Sequence, residues 1–356
     1  MFDGIRIKSH IRDYKVDFSR SALDDLSEGS LKGLFFIIDD RVLELHGHRL
    51  KQIIRNGKYL SVIASENEKN LNEVGKYVEK LLDLGLKRGD KLIVIGGGIL
   101  QDLSCFLASI LYRGIEWIFF PTTLLSQCDS CIGSKSSINC GTIKNVVGTF
   151  YPPSHVFIDT SFLSTLTEIE LRSGGGEMLK VHAISSPKDI LEFSTRFENI
   201  FCDESLMMKT IRDSLLIKKR LIEADEFDRG ERLILNYGHS FGHAIESATD
   251  FRIPHGIAVT IGMDLANYIS MIHGKCPKSY FDAFGEVLRK NFKICNSIKI
   301  PSDRVLEALG KDKKNSSSKL RLIMPSFDGV IKLEEWEKSI AFSDEVARYL
   351  NEVRYA

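Results

Sequence analysis

A short branched apolar run that ends in three glycines constrains this 356-residue chain more than any other segment: Lys91-Leu-Ile-Val-Ile95, then Gly96-Gly97-Gly98-Ile-Leu-Gln-Asp102. Apolar residues without alternation, closed by a turn signal, are the pattern of a strand buried on both faces. Such a strand belongs in a parallel sheet covered by helices. Glycine lets the backbone approach a ligand closely, and the amides that open the next helix are unpaired donors for negative charge. The run is not the spaced Gly-x-Gly-x-x-Gly of dinucleotide-binding turns, so it points to phosphate without naming the molecule that carries it.

Up to about Leu166, apolar runs such as 33–38 and 59–64 alternate with helical stretches such as 71–86, which predicts an α/β domain over residues 1–166. Beyond it, apolar residues recur at spacings of three and four around 168–184, 205–224, 240–248, 257–272 and 280–292, and prolines are scarce. That predicts an all-helical domain over 167–356. Forty-eight basic residues balance forty-eight acidic ones, so nothing suggests a nucleic-acid partner or a charged membrane surface. No apolar run reaches transmembrane length, and the first residues lack the apolar core of a signal peptide. The expectation is a cytoplasmic protein whose partner is a small molecule.

Two polar blocks stand out. The first follows the apolar run Ile118-Phe-Phe-Pro121 and gathers Asp129, Lys135, Asn139, Lys144 and Asn145, with Tyr112-Arg113-Gly114 just ahead. A polar surface loop would read the same way, but its place at a strand end is where ligands collect in open α/β sheets. The second is Leu233-Ile-Leu-Asn236-Tyr-Gly-His239-Ser-Phe-Gly-His243-Ala-Ile-Glu246, followed by Pro254-His255-Gly256. On a helix, His239 and His243 share one face, and neutral imidazoles suit zinc. In isolation that spacing does not separate a metal site from an ordinary polar face. Seven cysteines include a Cys128-x-x-Cys131, compatible with a redox centre or half a zinc site, but the odd count and the absence of a second pair favour reduced thiols.

In order and spacing, the segments GGGILQD, YRGIEWIFFPTTLLSQCDS, GSKSSIN, KNVVGTFYPP, GEMLK and LNYGHSFGHAIE resemble the sugar phosphate cyclase superfamily, and within it the 3-dehydroquinate synthases. The resemblance runs from Asp39 and Glu66-Asn-Glu-Lys69 to Asp312-Lys313-Lys314. It implies an α/β NAD-binding domain, a helical metal- and substrate-binding domain, and an active site in the cleft between them. It implies a zinc or cobalt ion held by Glu177, His239 and His255, with His243 beside the metal rather than on it. Substrate-handling positions are Asp129, Lys135, Asn145, Lys180, Lys218, Arg232 and Asn236. Arg113 matches an arginine that reaches the substrate phosphate from a neighbouring subunit, which implies a homodimer. NAD contacts fall on Asp39, Glu66, Lys69, Gly97, Gly98, Asp102, Thr122, Thr123, Lys144 and Thr165.

The implied reaction is a redox-neutral cyclisation. NAD takes a hydride from a secondary alcohol, phosphate leaves, the hydride returns, and an intramolecular aldol step closes a carbocycle. The substrate implied is 3-deoxy-D-arabino-heptulosonate 7-phosphate. Relatives acting on sugar phosphates that lack a carboxylate tend to replace the residues that stand here as Arg232 and Asn236. Departures from the family pattern are Gly176 where alanine is usual, Gln101 and Ser134 where glycine is usual, His182 where glycine is common, and Ile257 where glutamate commonly follows His-Gly. They keep open a cyclase for an amino-heptulosonate, sedoheptulose 7-phosphate or glucose 6-phosphate. A metal-dependent alcohol or glycerol dehydrogenase shares the two-domain plan but has no need for the lysine and arginine set. A catalytically silent homologue has no need for Glu177, His239, His255 and Lys180.

Overall fold

The computed structural model describes residues 3–141, 143–311 and 319–355; Asp312, Lys313, Lys314 and the serine-rich stretch 315–318 lie outside the described residues. By internal packing the chain forms two compact units. The first runs to Leu166 and takes back Lys219–Phe227, and the second comprises Thr167–Lys218 and everything from Asp228 onward.

The first unit contains β1 (Ile5–Ile7), β2 (Tyr14–Phe18), β3 (Leu34–Asp39), β4 (Lys58–Val62), β5 (Lys91–Gly96), β6 (Glu116–Pro121), β7 (Ile138–Cys140), β8 (Ile143–Val147) and β9 (His155–Ile158). Seven of these form one sheet in the order β1-β2-β9-β6-β5-β3-β4, parallel throughout except for the edge strand β1. β7 and β8 pair separately as an antiparallel hairpin. Leu92 to Ile95 are fully buried, which explains their unbroken apolar character, and Phe36, Ile38, Ile93, Ile95, Phe120 and Phe162 form one core cluster.

The order of the strands decides where a ligand fits. From β3 the chain moves outward to β4, then crosses to the other side of β3 to lay down β5 and β6. This reversal puts the carboxyl ends of β3 and β5 side by side, with Ile38 opposite Ile95. Open α/β sheets hold ligands outside the strands' carboxyl ends at such a switch point. Asp39 and the Gly96-Gly97-Gly98 turn both lie there.

The return of residues 219–227 to the first unit was not legible in the sequence, because helical periodicity does not say which core a helix end serves. The helix Glu204–Ala224 continues past Lys218. Just beyond it, buried Glu226 accepts hydrogen bonds from Ser9 Oγ (2.6 Å) and the His10 amide (2.7 Å), and the Phe227 ring lies 5.2 Å from that of Phe150.

The second unit is helical, as its apolar spacing predicts, but it also holds an antiparallel hairpin, Lys319–Pro325 with Ile331–Glu337. Its signal was the period-two alternation Lys319-Leu-Arg-Leu322, short enough to be passed over. The helix His255–Ile272 is buried from Gly256 through Ser270, so it is a central helix rather than an amphipathic surface one. Against it pack the helices Glu168–Ser185, His239–Ala248 and Lys278–Phe292. No helix among the described residues is long and apolar enough to cross a membrane.

Candidate active site

In the first unit the glycine turn is shaped by close approach. A β-carbon on Gly97 would lie 2.9 Å from Thr123 Cγ2, so the threonine packs directly on the backbone there. Gly98 opens the helix Gly98–Ile110 and has room beside it. Thr122 donates its amide to the Gly96 carbonyl (3.0 Å), which ties the end of β6 to the turn. Asp39 caps the helix Asp40–His46 by accepting from the Arg41 amide (3.0 Å), and burial raises its carboxyl pKa. The Thr165 hydroxyl meets His46 Nε2 at 2.9 Å and donates to the Phe162 carbonyl at 3.1 Å.

Beside the turn lies a compact polar cluster. Lys69, itself buried, donates through Nζ to Asp102 Oδ2 (3.1 Å) and Asn145 Oδ1 (3.0 Å) and stands 3.6 Å from Glu66 Oε1. Lys144 Nζ lies 3.7 Å from Glu66 Oε2. Burial lifts the Asp102 carboxyl to about 6, against the pull of Lys69. Burial opposes ionisation of Glu66 too, but Asn139, Lys69 and Lys144 hold it below the usual carboxylate range. Thus Glu66, Lys69, Asp102, Lys144 and Asn145 come together, although the sequence reading assigned the last to substrate and the others to NAD.

Asp129 is buried on a single π-helical turn, Ser126–Ser130. Gln101 fastens that turn: its Nε2 donates to the Ser130 carbonyl (2.5 Å) while Ser130 Oγ donates to Gln101 Oε1 (2.6 Å). A glycine at position 101 would make neither bond. Cys128 and Cys131 are buried and form no disulfide, their thiols donating to the Leu125 (3.7 Å) and Gln127 (3.5 Å) carbonyls. Lys135 is exposed and follows Ser134, whose φ of 65° accounts for glycine being usual at that position. Arg113 is also exposed, at φ 66° between Tyr112 (φ 50°) and Gly114 (φ 120°), and the turn is anchored by Tyr112 Oη donating to the Leu86 carbonyl (2.9 Å).

In the second unit the centre of the site is Glu177, only 1% exposed, on the helix Glu168–Ser185. Its Oε1 lies 3.3 Å from His255 Nε2 and 3.8 Å from His239 Nε2, and its Oε2 lies 2.5 Å from Lys180 Nζ. Both histidines are oriented from behind: His239 Nδ1 is 3.2 Å from the Tyr237 carbonyl, and His255 Nδ1 is 3.0 Å from Glu246 Oε2. With each Nδ1–H directed at an acceptor, each Nε2 faces Glu177, the orientation in which an imidazole whose Nε2 carries no proton becomes a metal ligand. His243, exposed and one helical turn from His239, brings a third imidazole, and ligand atoms of the three histidines all lie within 4.8 Å of one another.

The electrostatics match a cation site. Burial opposes ionisation of Glu177, but Lys180, His255 and His239 hold its carboxyl well below the usual range. Burial, then Lys180, pushes His239 well down, so it is a neutral donor. Burial would also lower His255, but Glu177 and Glu246 on either side hold it up at about 10. A proton on His255 thus supplies the positive charge these two carboxylates demand. One carboxylate and two or three imidazoles form a donor set suited to zinc or cobalt, so the residues fit such an ion.

Lys180, Lys218 and Arg232 are buried rather than splayed into solvent. Arg232 and Asn236 sit on the 3-10 turn Glu231–Asn236, where Asn236 Nδ2 donates to the Leu233 carbonyl (3.0 Å). Two residues that stand in the sequence motifs carry no role from sequence reasoning: Asn139 in the first unit and Glu246 in the second. Glu246 was findable, since positions 239, 243 and 246 follow one another on a single helix face.

Comparison with known proteins gives the fold and the family of this chain. A 2-deoxy-scyllo-inosose synthase solved with carbaglucose-6-phosphate, NAD+ and Co2+ superposes with a TM-score of 0.84 at 23% identity, covering 97% of this chain and all of that one. The 2-epi-5-epi-valiolone synthase of Streptomyces hygroscopicus subsp. jinggangensis 5008, solved with NAD+ and Zn2+, superposes at 0.81 and 23% identity over 99% of each chain. The class so defined is the dehydroquinate synthase-like fold, a Rossmann-like α/β domain followed by a helical one. Sequence is more specific. Residues 59–173 match the 3-dehydroquinate synthase N-terminal family model and residues 174–315 the C-terminal one. A 3-dehydroquinate synthase of Alkaliphilus metalliredigens (strain QYMF) is 35% identical over 321 residues, 89% of either chain. The chain belongs to the 3-dehydroquinate synthase family.

Proposed function

We propose that this protein is a metal- and NAD-dependent 3-dehydroquinate synthase that converts 3-deoxy-D-arabino-heptulosonate 7-phosphate to 3-dehydroquinate and phosphate. The observation that carries the reading is the buried Glu177 carboxylate facing His239, His255 and Lys180 on a chain of this family. When bound, NAD supplies a hydride acceptor restored within each turnover, and a zinc or cobalt ion on Glu177, His239 and His255 supplies a Lewis acid.

The chain's own groups divide the remaining work. Lys180 keeps Glu177 ionised, and Tyr237 and Glu246 keep the two imidazoles in ligand orientation. The amides of Gly97 and Gly98 receive the dinucleotide's pyrophosphate. Asp39, Glu66, Lys69, Asp102, Thr122, Thr123, Lys144 and Thr165 complete that site. Arg232 and Asn236 take the substrate carboxylate, for which a planar guanidinium offers bidentate donation. Lys135, Lys218, Asn145 and Asp129 hold the hydroxyls and phosphate. His243 is available to exchange a proton because it is exposed beside His239. Arg113, on its exposed strained turn, serves the phosphate of a second subunit in a cytoplasmic homodimer.

The test is phosphate release and product mass with NAD, zinc and three substrates in parallel: the heptulosonate phosphate, sedoheptulose 7-phosphate and glucose 6-phosphate. Release from the first alone is expected. Preference for either of the others would leave a cyclase but remove the assignment to a carboxylate-bearing substrate.

A further inference from the structure

Asn139 has no part in the roles assigned above, yet it bonds to Glu66, Lys69 and Asn145 within the polar cluster of the first unit. It lies on β7 with 4% of its surface exposed. Its amide donates to the Lys69 carbonyl (2.9 Å), and its Nδ2 donates to both the carbonyl (3.1 Å) and Oε2 (2.9 Å) of Glu66. Its Oδ1 accepts from the backbone N–H of Asn145 (2.9 Å).

That last bond matters because Asn145 stands at φ 54°, a left-handed conformation that asparagine adopts more readily than other side chains and that the Asn139 contact fixes in place. Held there, Asn145 accepts from Lys69 Nζ, and Lys69 in turn reaches Asp102 and Glu66. The contacts close a ring: Asn139, Glu66, Lys69, Asn145 and back to Asn139. One planar amide forms two of its links, so a displacement of Glu66 is passed directly to the backbone of Asn145.

We infer that Asn139 is a positioning residue that couples dinucleotide binding at Glu66 and Lys69 to the placement of Asn145 toward substrate. The inference rests on the proposed roles of those three residues. Its consequence is that the bound dinucleotide fixes the amide that meets the sugar phosphate, so the two sites are set together.

The test uses the zinc-loaded full chain, with NAD affinity measured by calorimetry without substrate, and kcat and KM for the heptulosonate phosphate measured separately. Asn139→Asp keeps an acceptor for the Asn145 N–H but turns a carboxylate on Glu66, and should weaken NAD binding about tenfold or more. Adding Glu66→Gln restores a donor facing an acceptor, so the double variant should bind NAD more tightly than the two single losses, each measured alone, would predict together. Asn139→Ala removes both links and should weaken NAD binding and raise the substrate KM together. A lowered melting temperature with NAD affinity, kcat and KM unchanged in both single variants would overturn the coupling, as would strict additivity of the Asp and Gln changes. A wild-type chain that binds no NAD would instead overturn the functional reading on which the coupling rests.

Discussion

Gly176 and Gly256 meet backbone to backbone: a β-carbon on Gly176 would fall well inside van der Waals contact distance of the Gly256 carbonyl oxygen and 2.5 Å from Thr260 Oγ1. Gly176 precedes Glu177 and Gly256 follows His255, so this helix crossing sets the 3.3 Å separation of carboxylate and imidazole. Glycine at 176, where the family more often has alanine, is therefore matched to the closeness of this particular crossing. Overpacking a fitted interior costs about 1–3 kcal/mol. Gly176→Ala should lower stability by that amount and reduce zinc content, read from urea midpoints and elemental analysis. Unchanged values for both would show that the crossing does not set the ligand spacing.

Glu246 holds His255 through Nδ1, so its removal should loosen the metal without touching a ligand. Loss of such a supporting carboxylate typically costs 10- to 100-fold in metal affinity, about the range expected for Glu246→Ala. Glu246→Gln keeps an acceptor and should lose less. Competition with a chromophoric chelator checks both, and equal zinc affinity in all three proteins would remove the assigned role.

Arg232→Leu should cut kcat/KM for the heptulosonate phosphate by roughly tens- to a thousandfold, the cost of losing a charge-assisted bidentate partner. NAD affinity should stay near the wild-type value. A variant that turns over normally would mean that another group binds the carboxylate.

Nine residues along the helix from His255, Asp264 is fully buried, accepting from Tyr349 Oη (2.8 Å) and Arg289 Nε (3.2 Å). Burial lifts its carboxyl from 3.8 to about 6, although Arg289 and Tyr349 pull the other way. Between those values the unfolded chain has released its proton while the folded chain keeps it. The associated stability is thus fully present below pH 3.8 and is lost as pH rises through about 6. The change amounts to about 3 kcal/mol. Asp264→Asn should remove that part of the slope in urea midpoints taken from pH 4 to 7. An identical slope in the variant would contradict the assignment.

Those features that repeat along the chain were legible in the sequence, and those made by its return on itself were not. The unbroken apolar run at 91–95 predicts a central parallel strand because only burial on both faces suits it, and β5 is that strand. The spacing of His239 and His243 predicts a shared helix face, and the helix His239–Ala248 carries both. No local pattern, however, shows that Asn139 reaches Glu66 across 73 positions, that residues 219–227 rejoin the first unit, or that Gly176 meets Gly256. These depend on which elements pack together, which periodicity does not encode.

Phosphate release and NADH absorbance followed together, with zinc, excess heptulosonate phosphate and NAD well below the substrate concentration, test most directly whether the hydride is returned within each turnover. A cyclase releases many phosphates per NAD with no accumulation of NADH. NADH rising in proportion to substrate consumed, without phosphate release, would instead make this chain a dehydrogenase.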